Sequence, residues 1–542
     1  MTTISGILID PVGRCRLPAT LVIHQGRLAD IVPDPTITGP FILPGLIDAH
    51  IHIESTMLTP AAFAREAVRH GTVAVVADPH EIANVLGVPG IDWMIENGGR
   101  TPLKFSFGAP SCVPATPFEN SGARLTAADV AALLARDDIA FLAEMMNFPG
   151  VINHDPEVMA KLAAARAHGK PIDGHAPGLT GRDLAAYAAA GISTDHETIT
   201  LPEGLEKLAL GMHLLLRQGS SASNLDDLHP FISSHPGQCM LCTDDLKPAD
   251  LQRGHINLLV KKALALGHDL FDVLQVACVN AVRHYGLDVG LLQKGDAADF
   301  MVVDDLAAMT VRATWIGGQQ VSDGRRALFA LPPVQANNTC HAAPLVAADL
   351  AVANRGPVIR VIEVTDGSLV TGSGRWSVPA ESPLVAADSR ADLLKILVYN
   401  RYQPAPAALA FVRGFGLGRG AMASSIAHDS HNLIAVGASD QDLARAVNLL
   451  IKVGGGIAFV DGHEERVMAL PMAGLMALGD CQETADRYTE LEARVKAGGC
   501  RLQTPFMTMA FLALPVIPAL KITDLGLFDT SRFAHTDLFM NP

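Results

Sequence analysis

From Leu46 to about residue 285 the sequence alternates between apolar runs of strand length and longer stretches with apolar residues at helical spacing. The runs are Leu46–Ile53, Thr72–Asp78, Leu103–Ala109, Ile139–Met145, Pro171–His175, Ile192–His196, Met212–Arg217 and Gln238–Thr243. Runs of this kind predict buried strands. The stretches between them carry helix signals. Thr126 stands before A-A-D-V-A-A-L-L-A-R, and Asp155-Pro156-Glu157 opens a run that ends near Gly169. Eight strands separated by helices predict an α/β fold, with a (β/α)8 TIM-type barrel over residues 46–285.

The pattern changes on both sides of this stretch. Residues 1–45 read as short strands, Gly6–Ile9, Thr20–His24 and Arg27–Val32, with a turn at Gly26. Residues 286–330 return to short strands, with turns at Gly317-Gly318 and Asp323-Gly324. Neither set is large enough to stand alone, so the two are expected to pair as a small flanking β-sandwich domain. A proline- and asparagine-rich linker, residues 331–344, leads to a separate C-terminal α/β domain, residues 345–542. In that domain a hairpin of Val358–Val364 and Ser368–Thr371 through Asp366-Gly367, and a helix over Ser439–Val453, are predicted.

Composition narrows the partners. A formal net charge of −15 argues against nucleic acid or an anionic membrane surface, both of which call for clustered Lys and Arg. A small neutral or cationic substrate fits better. Met509–Leu520, the most apolar late stretch, is too short and too proline-interrupted to span a bilayer, and the N-terminus lacks a signal-peptide pattern. Eight scattered cysteines suit a reducing compartment, so a cytoplasmic protein is expected. Cys239 and Cys242 have the C-x-x-C spacing without a second such pair, and both fall in a predicted buried strand. They read as packing residues.

The chemistry gathers at the predicted strand ends. In L-P-G-L-I-D-A-H-I-H, His50 and His52 lie two apart at the end of a strand, so both imidazoles face one space. Later strands end in Glu144, His175, His196 and Asp244. In a barrel of this kind the active site lies at those ends. Four imidazoles and two carboxylates there are enough for two divalent cations, with Glu144 between them.

The P-G-x-x-D-x-H-x-H opening, the later strand-end His, His and Asp, and the G-D-x-A-D return resemble the amidohydrolase superfamily. Within it, H-I-E-S-T-M, V-A-D-P-H-E-I-A-N-V, A-E-M-M-N-F-P-G-V-I, D-G-H-A-P-G-L and the late G-F-G-L-G-R-G-A-M-A-S-S-I-A-H-D-S-H-N are similar to the adenine deaminases. Many superfamily members place a carboxylated lysine where this chain has Glu144. The resemblance implies hydrolysis of adenine to hypoxanthine and ammonia at two divalent cations, manganese or iron ahead of zinc. It implies His50, His52, Glu144, His175, His196 and Asp244 as their ligands. A water held between two cations loses a proton near neutral pH, giving a hydroxide that can attack C6, and Asp244 can carry the proton to the departing amino group.

An acid must also protonate N1 of the purine. Glu81, in D-P-H-E after the second strand, is the first choice ahead of Glu197 and Glu54. His80, Glu197 and Arg217 are candidate substrate contacts, and His80 is alternatively a hydrogen-bond partner of a metal ligand or an additional metal ligand. His428, Asp429 and His431 form a polar cluster behind the glycine-rich loop Gly414–Gly420, which lacks the Lys/Ser arrangement of a P-loop. A homo-oligomer, in the first instance a dimer, is expected. The alternatives are hydrolysis of a cyclic amide or another 6-substituted purine with the same metals, and a metal-binding scaffold without catalysis. Zinc deaminases with the H-x-E and P-C-x-x-C signature are excluded as a type.

Overall fold

The computed structural model describes residues 1–462 and 464–540; residues 541 and 542, the end of the expected C-terminal domain, lie outside the described residues. Eight parallel strands follow the apolar runs: β1 (Leu46–Ile51), β2 (Thr72–Ala77), β3 (Lys104–Ala109), β4 (Ile139–Met145), β5 (Ile172–Gly174), β6 (Thr194–Asp195), β7 (His213–Arg217) and β8 (Cys239–Cys242). β1 to β5 form one parallel sheet and β6 to β8 another. Ser193 N donates to Ile172 O at 2.9 Å where β5 meets β6, and Asp244 N donates to His50 O at 2.9 Å where β8 meets β1. The result is a curled parallel sheet. Every residue of β1, β2 and β8 is buried, as expected for strands covered on both faces. Gly45, just before β1, has no room for a side chain, since a Cβ there would lie 2.2 Å from Val73 Cγ1.

The connecting helices begin where the sequence signals placed them. Thr126 caps the helix Ala127–Leu134 in a capping box with Asp129. Asp155 accepts hydrogen bonds from Glu157 N and Val158 N at the start of Pro156–Ala167. The N-terminal strands and the returning strands join in one seven-stranded sheet, in which Phe300–Val303 pairs with Phe41–Pro44 and the latter runs parallel to Thr2–Asp10. Asp299 of the G-D-A-A-D motif holds the return in place. It is fully buried, and its carboxylate accepts from Lys104 Nζ at 2.7 Å, Gly290 N at 3.0 Å and Gly317 N at 2.8 Å.

The chain divides into two compact units. Met1–Pro79, Asp92–Ser111 and Thr126–Val334 make the first; His80–Ile91, Cys112–Leu125 and the chain from Gln335 onward make the second. Two short segments that lie in sequence inside the eight-strand stretch thus fold with the C-terminal part. The second unit is built on an eight-stranded mixed sheet. The helix Asp440–Val453, capped by Ser439, buries Leu443, Val447 and Leu450 in its core, each contributing about 1.5–3 kcal/mol. The predicted hairpin is shifted. Val358–Glu363 pairs with Gly372–Ser377, not with Ser368–Thr371, because the edge strand G-S-G-R-W-S alternates half-buried and exposed residues and carries little apolar signal.

Candidate metal centre

The first unit draws all six strand-end residues to one place. Asp48 accepts hydrogen bonds from the backbone N of Thr243, at 3.0 Å, and from its hydroxyl, which ties β1 to the residue before Asp244. His50, His52, Glu144, His175, His196 and Asp244 are all buried. Their donor atoms fall into two groups. In one, His52 Nε2 lies 3.2 Å from His50 Nε2, 3.3 Å from Glu144 Oε1 and 3.2 Å from Asp244 Oδ1. In the other, Glu144 Oε2 lies 2.8 Å from His175 Nδ1 and 3.2 Å from His196 Nε2. Glu144 therefore gives one oxygen to each group.

This donor set fits metal binding. Four ligands at the usual 2.0–2.2 Å around one ion stand about 3.3–3.6 Å from each other, close to the spacings seen here. His52 Nδ1 lies 3.2 Å from Asp78 O, which fixes the Nδ1–H tautomer and leaves the Nε2 lone pair turned toward the carboxylates. Two imidazole nitrogens facing each other at 3.2 Å, as in His50 and His52, need a cation or a proton between them.

The electrostatics point the same way. Burial alone would raise the carboxyl of Glu144, but His175, His196 and His52 more than offset it and hold it well below the usual carboxylate range. Burial likewise works against Asp244, and Arg217, His52 and His196 overcome it, so Asp244 is held well below its ordinary value. Burial pulls His196 down, yet Glu144, Asp244 and Glu197 push it up to about 9. Cation entry must therefore displace protons.

Arg217, expected as a substrate contact, pairs with two carboxylates through its terminal nitrogens. Nη1 donates to Glu197 Oε1 at 2.6 Å and to Asp244 Oδ2, and Nη2 to Glu197 Oε2 at 3.2 Å. Glu197 is held below its usual range, with Arg217 the leading cause after burial, which works the other way.

Several supporting residues escaped the sequence reading. Asp195 accepts from Ala176 N at 2.8 Å, from Thr198 N at 2.8 Å and from Lys207 Nζ at 2.9 Å, fixing the turns that carry His175 and His196. Burial would raise its carboxyl, but Lys207 and His196 bring it to about 2. Asn224 accepts from Arg217 N at 2.6 Å and donates to His196 O at 3.0 Å. A charge inside a strand, as in T-D-H-E, was the available signal for Asp195. Cys239 and Cys242 are buried, and burial pushes the Cys239 thiol up to about 12, as for inert packing residues.

Glu81 and His80 belong to the second unit. There His428 Nδ1 lies 2.7 Å from Glu81 Oε1, and His431 Nε2 meets Glu81 Oε2. Burial opposes ionisation of Glu81, but His428, His431 and His80 prevail and hold it well below the usual range. The carboxylate of Glu81, the expected acid for N1, is thus paired with imidazoles on both oxygens. The glycine loop is occupied by its own chain, since Gly414 N and Gly416 N donate to Asp392 at 2.9 and 2.7 Å.

A curled parallel sheet with imidazoles and carboxylates gathered at its strand ends defines a metal-dependent hydrolase of the amidohydrolase type, and the amidohydrolase family model matches residues 41–321. A second model, for the adenine deaminase C-terminal domain, matches residues 368–534. An adenine deaminase of Salinibacter ruber is 50% identical over 542 residues, covering 99% of each chain. One of Parabacteroides distasonis is 47% identical, covering 99% of this chain and 98% of the other, and one of Methanosarcina barkeri is 47% identical over 99% and 100%. The chain belongs to the adenine deaminase family.

Proposed function

We propose that this protein hydrolyses adenine to hypoxanthine and ammonia, with His50, His52, Glu144, His175, His196 and Asp244 holding two divalent cations. Manganese or iron is favoured over zinc. The observation that carries the reading is the division of these donors into two buried groups that share Glu144. When bound, the cations supply Lewis acidity that brings the deprotonation of water close to neutral pH.

The protein's own part is to place charge and move protons. Asp244 turns Oδ1 toward His50 and His52 and Oδ2 toward Arg217. Arg217 keeps it ionised, so it starts the cycle as a base. It takes the proton of the attacking water and delivers it to the exocyclic nitrogen, which leaves as ammonia. Glu144, anchored by three imidazoles, holds the two groups at fixed spacing. The reading also takes the curled sheet as a closed (β/α)8 barrel, and the enzyme as a cytoplasmic homo-oligomer. Among the described residues no helix is long and apolar enough to cross a membrane.

The test is ammonia and hypoxanthine release from adenine by protein stripped of metal and reconstituted separately with Mn, Fe or Zn. Turnover that needs about two metals per chain is expected. Failure with every metal, or ring opening of a cyclic amide without ammonia from adenine, would overturn the substrate assignment.

A further inference from the structure

The second unit holds another buried cluster of imidazoles and carboxylates. His80, Glu81, His428, Asp429 and His431 are each at most 4% exposed. Donor atoms from four of these residues converge. His80 Nε2 lies 3.5 Å from Glu81 Oε1 and 3.7 Å from Asp429 Oδ2, while His428 Nδ1 lies 2.7 Å from Glu81 Oε1 and 3.7 Å from Asp429 Oδ1. The His80–Glu81 spacing lies within the edges of about 3.3–3.6 Å expected around one tetrahedral ion, and the two spacings to Asp429 lie just beyond them.

We propose that His80, Glu81, His428 and Asp429 form a separate divalent-cation site within the second unit, with His431 orienting Glu81. Two further observations support it. Asp429 Oδ2 is buried and meets no hydrogen-bond donor among the described residues. A buried carboxylate oxygen left so is costly, and a cation placed among these donors satisfies it.

The surroundings are also arranged as metal ligands usually are. His431 Nδ1 accepts from Ala427 N at 3.3 Å, so its proton sits on Nε2 and is donated to Glu81 Oε2. That leaves Oε1 of Glu81 facing His80 and His428. The ring of His428 stacks on Phe511 at 4.3 Å, which fixes its plane. Outer contacts that set the orientation of a ligand are typical of working metal sites. Two imidazoles and two carboxylates favour zinc, iron or manganese over magnesium or calcium, which take oxygen ligands.

The site is tested by counting metal on the full-length protein. Chain stripped with chelator is saturated with Mn2+ or, in parallel, Zn2+, passed through gel filtration and analysed by mass spectrometry for metal per chain. Asp429→Asn and, independently, His428→Gln are each expected to lose one equivalent relative to the unsubstituted protein, with thermal melts confirming that they fold. Glu144→Gln is expected to keep that equivalent while losing the others. The barrel reading and this one therefore fail separately. Metal content unchanged from the unsubstituted protein in both variants would leave the barrel centre intact and overturn this site. One equivalent lost in each variant, with two retained, sustains it. If neither variant folds, saturation of the unsubstituted protein at two equivalents, both removed by Glu144→Gln, overturns the proposal, and a further equivalent that survives Glu144→Gln sustains it.

Discussion

Glu144→Gln tests the bridging role most directly. The side chain is 3% exposed, and its oxygens lie 3.3, 2.8 and 3.2 Å from His52 Nε2, His175 Nδ1 and His196 Nε2. The amide keeps the shape and removes the charge. Breaking a buried charge interaction by neutralising one partner costs roughly 3–5 kcal/mol. At 1.36 kcal/mol per factor of ten, retention of each cation should fall by about 10² to 10⁴. The assay is metal per chain after dialysis against a fixed concentration of chelator, read beside ammonia release from adenine. The variant should lose the barrel ions at chelator concentrations that leave the unsubstituted protein loaded, and turnover should be lost with them. Unchanged retention of the barrel ions together with full activity would remove Glu144 from the bridge and refute the reasoning.

Three further outcomes follow from particular contacts. Arg217→Gln takes away the charge that keeps Asp244 and Glu197 ionised, so the pKa of Asp244 should rise, and a pH–rate profile should lose more kcat at pH 6 than at pH 8.5. Lys521 is buried, donates to Leu369 O at 2.8 Å and Phe511 O at 3.1 Å, and is lowered by burial to about 7. The unfolded chain keeps that proton up to the ordinary lysine range, so unfolding binds a proton above pH 7 and the residue's cost fades as pH rises. The stability of the Lys521→Met variant relative to the unsubstituted protein should therefore worsen by roughly 2–3 kcal/mol between pH 7 and 9 in denaturant melts, and parallel curves would contradict the assignment. Asp155→Ala removes a cap that accepts two backbone N–H groups and should cost about 1 kcal/mol, read as a shift of the denaturation midpoint.

The eight strands were legible because burial on both faces leaves little but apolar residues in them. T-V-A-V-V-A of β2 is buried throughout and reads as a strand without help from its neighbours. Gly372–Ser377 is the opposite case. As the edge strand of its sheet it needs backbone pairing more than apolar side chains, so its composition carries little strand signal. The division into units was hidden for a different reason. Residues 80–91 and 112–125 sit between strands in sequence, and nothing in their periodicity marks them as packing with the C-terminal part.

The same contrast runs through the sites. His50, His52, Glu144, His175, His196 and Asp244 could be found because each ends a strand, and a parallel curled sheet turns a list of strand ends into a cluster. Glu81 was chosen by that rule as well, from its place just after β2. What decides its chemistry, however, is His431, 350 residues away, together with His428. No local pattern encodes that meeting. A position rule locates residues that one sheet brings together, but it cannot assign a protonation state, which depends on partners from distant segments. Two imidazoles against the Glu81 carboxylate favour its charged form. Arg217 likewise meets carboxylates from other segments, Glu197 and Asp244. The charge partners of both residues became visible only once the chain was folded.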